Sequence, residues 1–292
     1  MVLRQLCRSV YGALPFKHPL FLALRRIWTP PEWIHRHFHF KGIIRVPVDG
    51  TSFLMRHHGF QIENEIFWQG IRGGWEGVSM SVWISLVRRA RVIVDVGANT
   101  GFYSLVAAAL AREADVVALE PVPRVFHRLE QNVELNRFSI LCIQAAASNR
   151  NRSATLYDTP TEHILSTTVD CNLHPPGTAV EELRVDAVRL DSLLPSLALG
   201  PPDLLKIDVE THEPEVLEGL GPWLKGRRPS LLLEVLNEDV AEKVASLVEG
   251  AGYQIFDLDE ANPPRRMEEI RPSSRFNILL LQPEVASDMG LS

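Results

Sequence analysis

Cysteine is scarce: Cys7, Cys142 and Cys171 are the only three in 292 residues, and no two stand at CxxC spacing. That argues against a cysteine-built zinc site or a disulfide framework and fits a reducing, cytoplasmic compartment. Cationic excess is missing too. Thirty Lys and Arg against 36 Asp and Glu leave a net charge of −6, the wrong sign for a chain built to grip nucleic acid. In the first 28 residues the longest apolar run, Pro19 to Leu24, is far below the roughly 20 residues that span a bilayer. Lys17 and His18 interrupt any signal-peptide core there. Repeats and low-complexity tracts are absent.

What remains is an ordinary globular composition, 46% hydrophobic and 23% charged, enough for one large core with an appendage. Residues 1–28 set Arg4, Arg8, Lys17, Arg25 and Arg26 among Leu, Val, Phe and Trp. The pattern reads as an amphipathic helix packed on its own domain, with a membrane surface or a partner as its other use. FHFKGIIRVPV and TSFLMRHHG flank Asp49-Gly50, a hairpin turn signal. Residues 78–90 have helical periodicity with basic residues in the last turn. From Arg91 apolar strands alternate with helices: RVIVDVG, DVVALE, SILCIQAA, DLLKIDV, SLLLEV, YQIFDL and a closing FNILLLQ. Such alternation predicts an α/β fold, a doubly wound, Rossmann-type and mostly parallel sheet covered on both faces. The closing strand lacks a crossover helix of its own and is expected to run antiparallel. The expected divisions are an appendage at 1–77, a main domain at 78–283 with a hairpin insertion about 150–195, and a tail at 284–292.

VDVGANTGFYSL, residues 94–105, is a strand, a glycine-bearing turn and a helix. That order makes a nucleotide-type pocket, because glycines let backbone N–H groups approach the ligand. The loop reads D-x-G-x-N-x-G and not the dinucleotide fingerprint; Asn99 tolerates the left-handed backbone such a turn needs. Asp95, Gly97, Ala98, Asn99, Gly101 and Phe102 are therefore cofactor candidates. About twenty residues on, VVALEP sets Glu120 at a strand end with Pro121 behind it, where a carboxylate accepts ribose hydroxyls. Nicotinamide enzymes use the same geometry, so these features alone leave the cofactor open.

VIVDVGANTGFYSL, ALEPVPRVFHRLEQNVELN, AAS at 146–148 and LLKIDVETHEPEVLEGL, in this order, resemble the FkbM family of S-adenosylmethionine-dependent methyltransferases over residues 70–282. The resemblance implies a class I methyltransferase sheet and O-methylation of a hydroxyl on a small molecule or glycan. It implies Asp95, Gly97, Asn99 and Gly101 around the methionine end of S-adenosylmethionine, Glu120 on the ribose, and Ala146 to Ser148 near adenine. KIDVEG is the family's usual reading; Thr211 and His212 follow Glu210 here, which bears on the substrate. No NPPY-like loop is present, which disfavours N-methylation of a base amine. Two rivals stay open: a nicotinamide-dependent oxidoreductase, weakened by the lost middle glycine, and a catalytically silent scaffold, weakened by an intact loop.

Lys206 and Asp208 share one strand face, and a lysine in a central strand needs a carboxylate partner, Asp208 or Glu234. It reads as a clamp on Asp208. Asp208, Glu210 and His212 fall just past the strand's C-terminal end, where open α/β sheets bind ligands. They are the catalytic candidates, with Asp208 best placed and His212 best matched in pKa; helix capping is the structural alternative. No metal is expected. An oxygen set of Asp208, Glu234 and Asn237 would suit Mg²⁺ as a variant. His35, His37 and His39 alternate as though on one strand face and read as exposed edge residues. Trp75-Glu76 is a candidate lid wall, and Arg88, Arg89 and Arg91 a solvated helix end. Nothing in the sequence fixes an oligomeric state.

Overall fold

The computed structural model describes residues 16–74, 76–159, 168–170, 177–273 and 276–291. Cys7, Cys171, Arg4, Arg8 and Trp75 lie outside them. The described residues open with α1 (Lys17–Arg25), α2 (Glu32–His35) and the hairpin β1 (Gly42–Val48) and β2 (Thr51–His57), then α3 (Gln61–Gln69) and α4 (Gly77–Val87). Asp49 and Gly50 both take positive φ, 38° and 84°, as a two-residue hairpin turn requires. Alternation buries Ile44, Val46, Phe53 and Met55 on one face. Where a third strand would pair with β2, a helix supplies asparagines instead. Leu54 N–H donates to Asn136 Oδ1 (2.7 Å) and Arg56 N–H to Asn132 Oδ1 (2.8 Å), which satisfies an otherwise open edge.

The histidines of this layer differ from the sequence expectation. The strand starts only at Gly42, so His35, His37 and His39 share no strand face; His35 is buried on α2 beside Gln69 Nε2 at 2.9 Å. Burial pushes His57 down to about 3, helped by the charge of His39, and His58 down to about 4, helped by Arg128 and Arg56. Unfolded imidazoles protonate near 6.5, so between that value and the folded ones the unfolded chain binds more protons. Stability must therefore fall as pH falls through this window, at up to about 1.4 kcal/mol per pH unit for each histidine. Urea midpoints at pH 7 and pH 5 check this; equal midpoints would show these rings are not held neutral.

The main sheet continues through β3 (Val92–Val96), α5 (Phe102–Leu110), β4 (Asp115–Leu119), α6 (Pro123–Asn136) and β5 (Ile140–Ile143). A smaller sheet interposes β6 (Ala146–Ala147), β7 (Arg152–Asp158), β8 (Thr168–Val169) and β9 (Glu181–Val188) in the order β6-β9-β7-β8. The chain then runs α7 (Leu190–Ser196), β10 (Leu204–Ile207), α8 (Glu213–Gly219), α9 (Pro222–Gly226), β11 (Ser230–Glu234) and α10 (Glu238–Val248). It ends with β12 (Gln254–Asp257), β13 (Arg265–Met267), β14 (Asn277–Leu281) and α11 (Pro283–Asp288). The eight-stranded order is β13-β12-β14-β11-β10-β3-β4-β5. The five strands β5, β4, β3, β10 and β11 run parallel; β14 is antiparallel to both β11 and β12.

Strands buried on both faces explain the unbroken apolar runs. Ile93, Leu204 and Leu232 face the core shared with α5 and the N-terminal layer, whereas Val94, Leu205 and Leu231 face the core under α8 and α10. SILCIQAA, which reads as one strand, is two. Ala145 N–H folds back onto Ile143 O at 3.0 Å, which turns the chain out of the main sheet so that Ala146 and Ala147 pair with β9. Among the described residues no helix is long and apolar enough to cross a membrane.

Candidate functional site

Strand order reverses direction beside β3, and the cleft opens at the C-terminal ends of β3, β4, β10 and β11, the position where open α/β sheets take ligands. Its lining includes Asp95, Gly97, Ala98, Asn99, Thr100 and Phe102 from the glycine loop, Glu120 to Val122, and Ala145 to Ala147. Lys206, Asp208, Glu210, His212, Glu234 and Glu76 close the other side.

Gly97 has φ 77°, and a Cβ there would overlap the Asp208 carbonyl oxygen. Only glycine lets the loop and the β10 end approach this closely. Asn99 takes the left-handed conformation expected of it, φ 52°. Gly101 serves packing instead, since it lies outside the lining and sits beneath Leu129. Asp95 is buried and accepts a hydrogen bond from Ser104 Oγ at 2.6 Å, and burial raises its carboxyl to about 6. Glu120 is buried as well. One oxygen accepts Asn99 N–H (3.0 Å), the other Val122 N–H (2.9 Å), and burial holds the carboxyl up near 7. Glu120 thus ties the glycine loop to the end of β4, a structural duty the sequence does not reveal.

Lys206 is 2% exposed and donates to Asp208 Oδ2 at 2.8 Å while its ammonium sits 4.8 Å from the centre of the Tyr103 ring. Burial opposes its charge, but Asp208, Glu76 and Glu234 outweigh that and hold the lysine above its ordinary pKa. Asp208 answers in kind: despite burial, Lys206 keeps it below the usual carboxylate range. Glu234 is pushed up to about 9, first by burial and then by the charge of Asp208. Beside the one ammonium, ionisation is therefore favoured at Asp208 over Glu234.

Glu76 is the cleft residue that sequence reasoning undervalued. Its carboxylate accepts Tyr103 OH (3.1 Å) and Asn277 Nδ2 (3.0 Å). Glu260, on the loop after β12, fixes the helix behind it by accepting Val78 N–H at 2.6 Å and Ser79 N–H at 3.1 Å. No sequence signal joins these groups; the hydrogen bond from Asn277 to Glu76 spans 201 residues.

His212 lines the cleft, but both ring nitrogens have neighbours: Ser148 Oγ lies 3.0 Å from Nε2 and Glu215 Oε2 lies 3.6 Å from Nδ1. Burial lowers its pKa. Ser148 itself is fully buried and does not line the cleft. Of the Mg²⁺ trio, Asp208 and Glu234 line the cleft and Asn237 does not; Asn237 caps α10, its Oδ1 accepting Val240 N–H at 3.0 Å. Among the described residues no three His, Cys, Asp or Glu side chains are arranged to hold a metal.

Where the family's usual glycine would stand, Thr211 has φ 82°, next to Glu210 at 55°. A β-branched residue there is strained by about 1–3 kcal/mol, less the extra chain entropy a glycine loses. Thr211→Gly is expected to stabilise the protein by about 1 kcal/mol, read as a higher urea midpoint. A lower midpoint would mean that the threonine makes contacts worth more than its strain.

A central parallel sheet, an antiparallel strand inserted between β11 and β12, a glycine loop after β3 and an acid at the end of β4 define the class I methyltransferase type of Rossmann-like fold. Residues 95–255 match the methyltransferase FkbM domain, and the chain belongs to that family. It is 29% identical over 196 residues to the 31-O-demethyl-FK506 methyltransferase FkbM of Streptomyces tacrolimicus, covering 58% of this chain and 75% of that protein. It is 26% identical over 129 residues to the hexuronic acid methyltransferase AglP of Haloferax volcanii, covering 44% and 49%. Methyltransferase 1 of Beauveria bassiana is 32% identical over 146 residues, covering 44% and 57%. The chain thus spans about half the length of two of these relatives and three quarters of the third.

Proposed function

We propose that the protein is an S-adenosylmethionine-dependent O-methyltransferase acting on a hydroxyl of a small molecule or glycan. The observation that carries the proposal is one cleft with an adenosyl-type half and an acid-lined half meeting at Asp208. The residues present suit the cofactor. Gly97 lets the glycine loop close onto the end of β10, which brings the loop and Asp208 to one cleft. Each Glu120 oxygen spends one lone pair on a backbone N–H and keeps a second for a ribose hydroxyl. Ala145 to Ala147 with Leu156 and Val169 make a small-residue, apolar wall suited to adenine. The cofactor, when bound, supplies an electrophilic methyl group on a sulfonium. Relatives named for a hexuronic acid and for 31-O-demethyl-FK506 support a hydroxyl acceptor.

Transfer of a methyl group is a displacement in which alignment supplies most of the rate. Asp208 is the residue suited to the acceptor: its side chain is 36% exposed toward the cleft and Lys206 keeps it ionised. A carboxylate held at low pKa is a weak base toward an alcohol. It need not act early, because the oxygen becomes strongly acidic as it gains the methyl group, and Asp208 can then take the proton. His212, with both nitrogens partnered, and Glu210 shape the acceptor side.

Glu120→Ala removes the ribose acceptors and loosens the loop together. Affinity for S-adenosylhomocysteine should weaken by about 1–3 kcal/mol or more, measured by calorimetry with circular dichroism as a folding control. Unchanged affinity in a folded variant would take the ribose contact away from Glu120.

A further inference from the structure

α1 leaves an apolar stripe turned away from the domain it packs on. The side turned to the domain carries Lys17, His18, Phe21, Leu24 and Arg25, with Phe21 stacked on Phe38 (centroids 5.2 Å) and set edge-on to Trp68 (5.6 Å). Arg25 lies over the Phe67 ring at 5.2 Å. The outward stripe is Leu20 and Ala23 on α1, continued by Phe16 at its N-cap and Ile27 just past its C-cap, at the spacing of one helix face. A surface helix puts its polar side there. Here Phe16 is 79% and Ile27 84% exposed, and Trp33 on α2 is 66% exposed. Six of the ten large apolar side chains exposed among the described residues fall between Phe16 and Trp33, which makes a patch and not the usual scatter.

We infer that this face docks peripherally on an anionic membrane surface. Charge selects that occupant over a neutral one. Of the six Lys or Arg in residues 16–45, Lys17 and Arg25 turn to the domain while Arg26, Arg36, Lys41 and Arg45 are exposed, against one acid, Glu32, in a chain whose net charge is −6; the exposed basic excess is local to this layer. Trp28 and Trp33 add the aromatic type that favours the headgroup level. α1, 9 residues and so about 14 Å long, is too short to span, so it lies in the interface with its apolar face down. Phe21 anchors it to the fold, so docking needs no refolding.

The test uses the full chain and Leu20→Glu/Ile27→Glu, two exposed positions that leave the Phe21 anchor intact. Cosedimentation is run with vesicles of phosphatidylcholine alone and of phosphatidylcholine with equal phosphatidylglycerol. The wild type should bind the anionic vesicles at least about 10-fold better than the zwitterionic ones and lose binding as salt rises. The double variant should bind them at least about 10-fold more weakly, with unchanged circular dichroism and unfolding midpoint. Failure of the wild type on anionic vesicles, or equal binding by the variant, overturns the inference. So does a dimer in sedimentation velocity that the variant dissolves, since a second copy would then be what covers the face.

Discussion

Asp208→Asn is expected to cut turnover by about 10²–10⁴-fold, the range that a positioned proton acceptor contributes. Asparagine keeps the shape and can still hydrogen-bond an acceptor hydroxyl, but it cannot take a proton. It also withdraws the charge that holds Lys206 in place, so some of the loss will come from a displaced amide. Cofactor affinity should change little, because the adenosyl half of the cleft is built from the glycine loop, Glu120 and Ala145 to Ala147. Stopped-time methyl transfer with parallel calorimetry separates the two effects. Full turnover with intact binding would remove Asp208 from the chemistry, and Glu76 would become the next carboxylate to examine.

Lys206→Met should destabilise the fold by about 1–3 kcal/mol, less than for a fully buried pair because Asp208, left without its partner, is 36% exposed to the cleft. The ammonium faces Asp208, Glu76 and Glu234 at once, and the variant leaves those groups to one another. Asp208 would lose the charge that depresses its pKa, so the acid limb of the rate profile should move to higher pH. The sign follows from the direction of the shift: a carboxylate stabilised in its ionised form loses that stabilisation as the cation goes. Adding Asp208→Asn to Lys206→Met should restore part of the lost stability, since the strongest unpaired charge is then gone. An additive double variant would show that the ammonium and this carboxylate do not depend on each other.

Sequence reasoning reached the parts of the molecule that rest on local pattern. Strands buried on both faces need apolar residues throughout, so β3, β4, β10, β11 and β14 stand out as unbroken runs, and the missing crossover helix exposes β14 as antiparallel. The glycine loop is legible because a residue pressed against the Asp208 carbonyl, as Gly97 is, has no room for a Cβ. The Lys206–Asp208 pair is legible because two residues in one strand share a face. Contacts between distant elements leave no such period. Glu76 meets Tyr103 and Asn277 only through the fold, and Asn132 and Asn136 look like ordinary polar helix residues until β2 is laid beside them. The break between β5 and β6 escapes for another reason: Ala145 to Ala147 suit a strand of either sheet, and a backbone turn at Ile143 decides between them.

The proposed chemistry depends first on the adenosyl half of the cleft, so the most direct measurement is calorimetric titration of the full chain with S-adenosylmethionine, S-adenosylhomocysteine and NAD in parallel. Micromolar binding of both adenosyl ligands, with NAD silent, is the predicted result. Binding of NAD with neither adenosyl ligand would contradict it and return the glycine loop and Glu120 to dinucleotide chemistry.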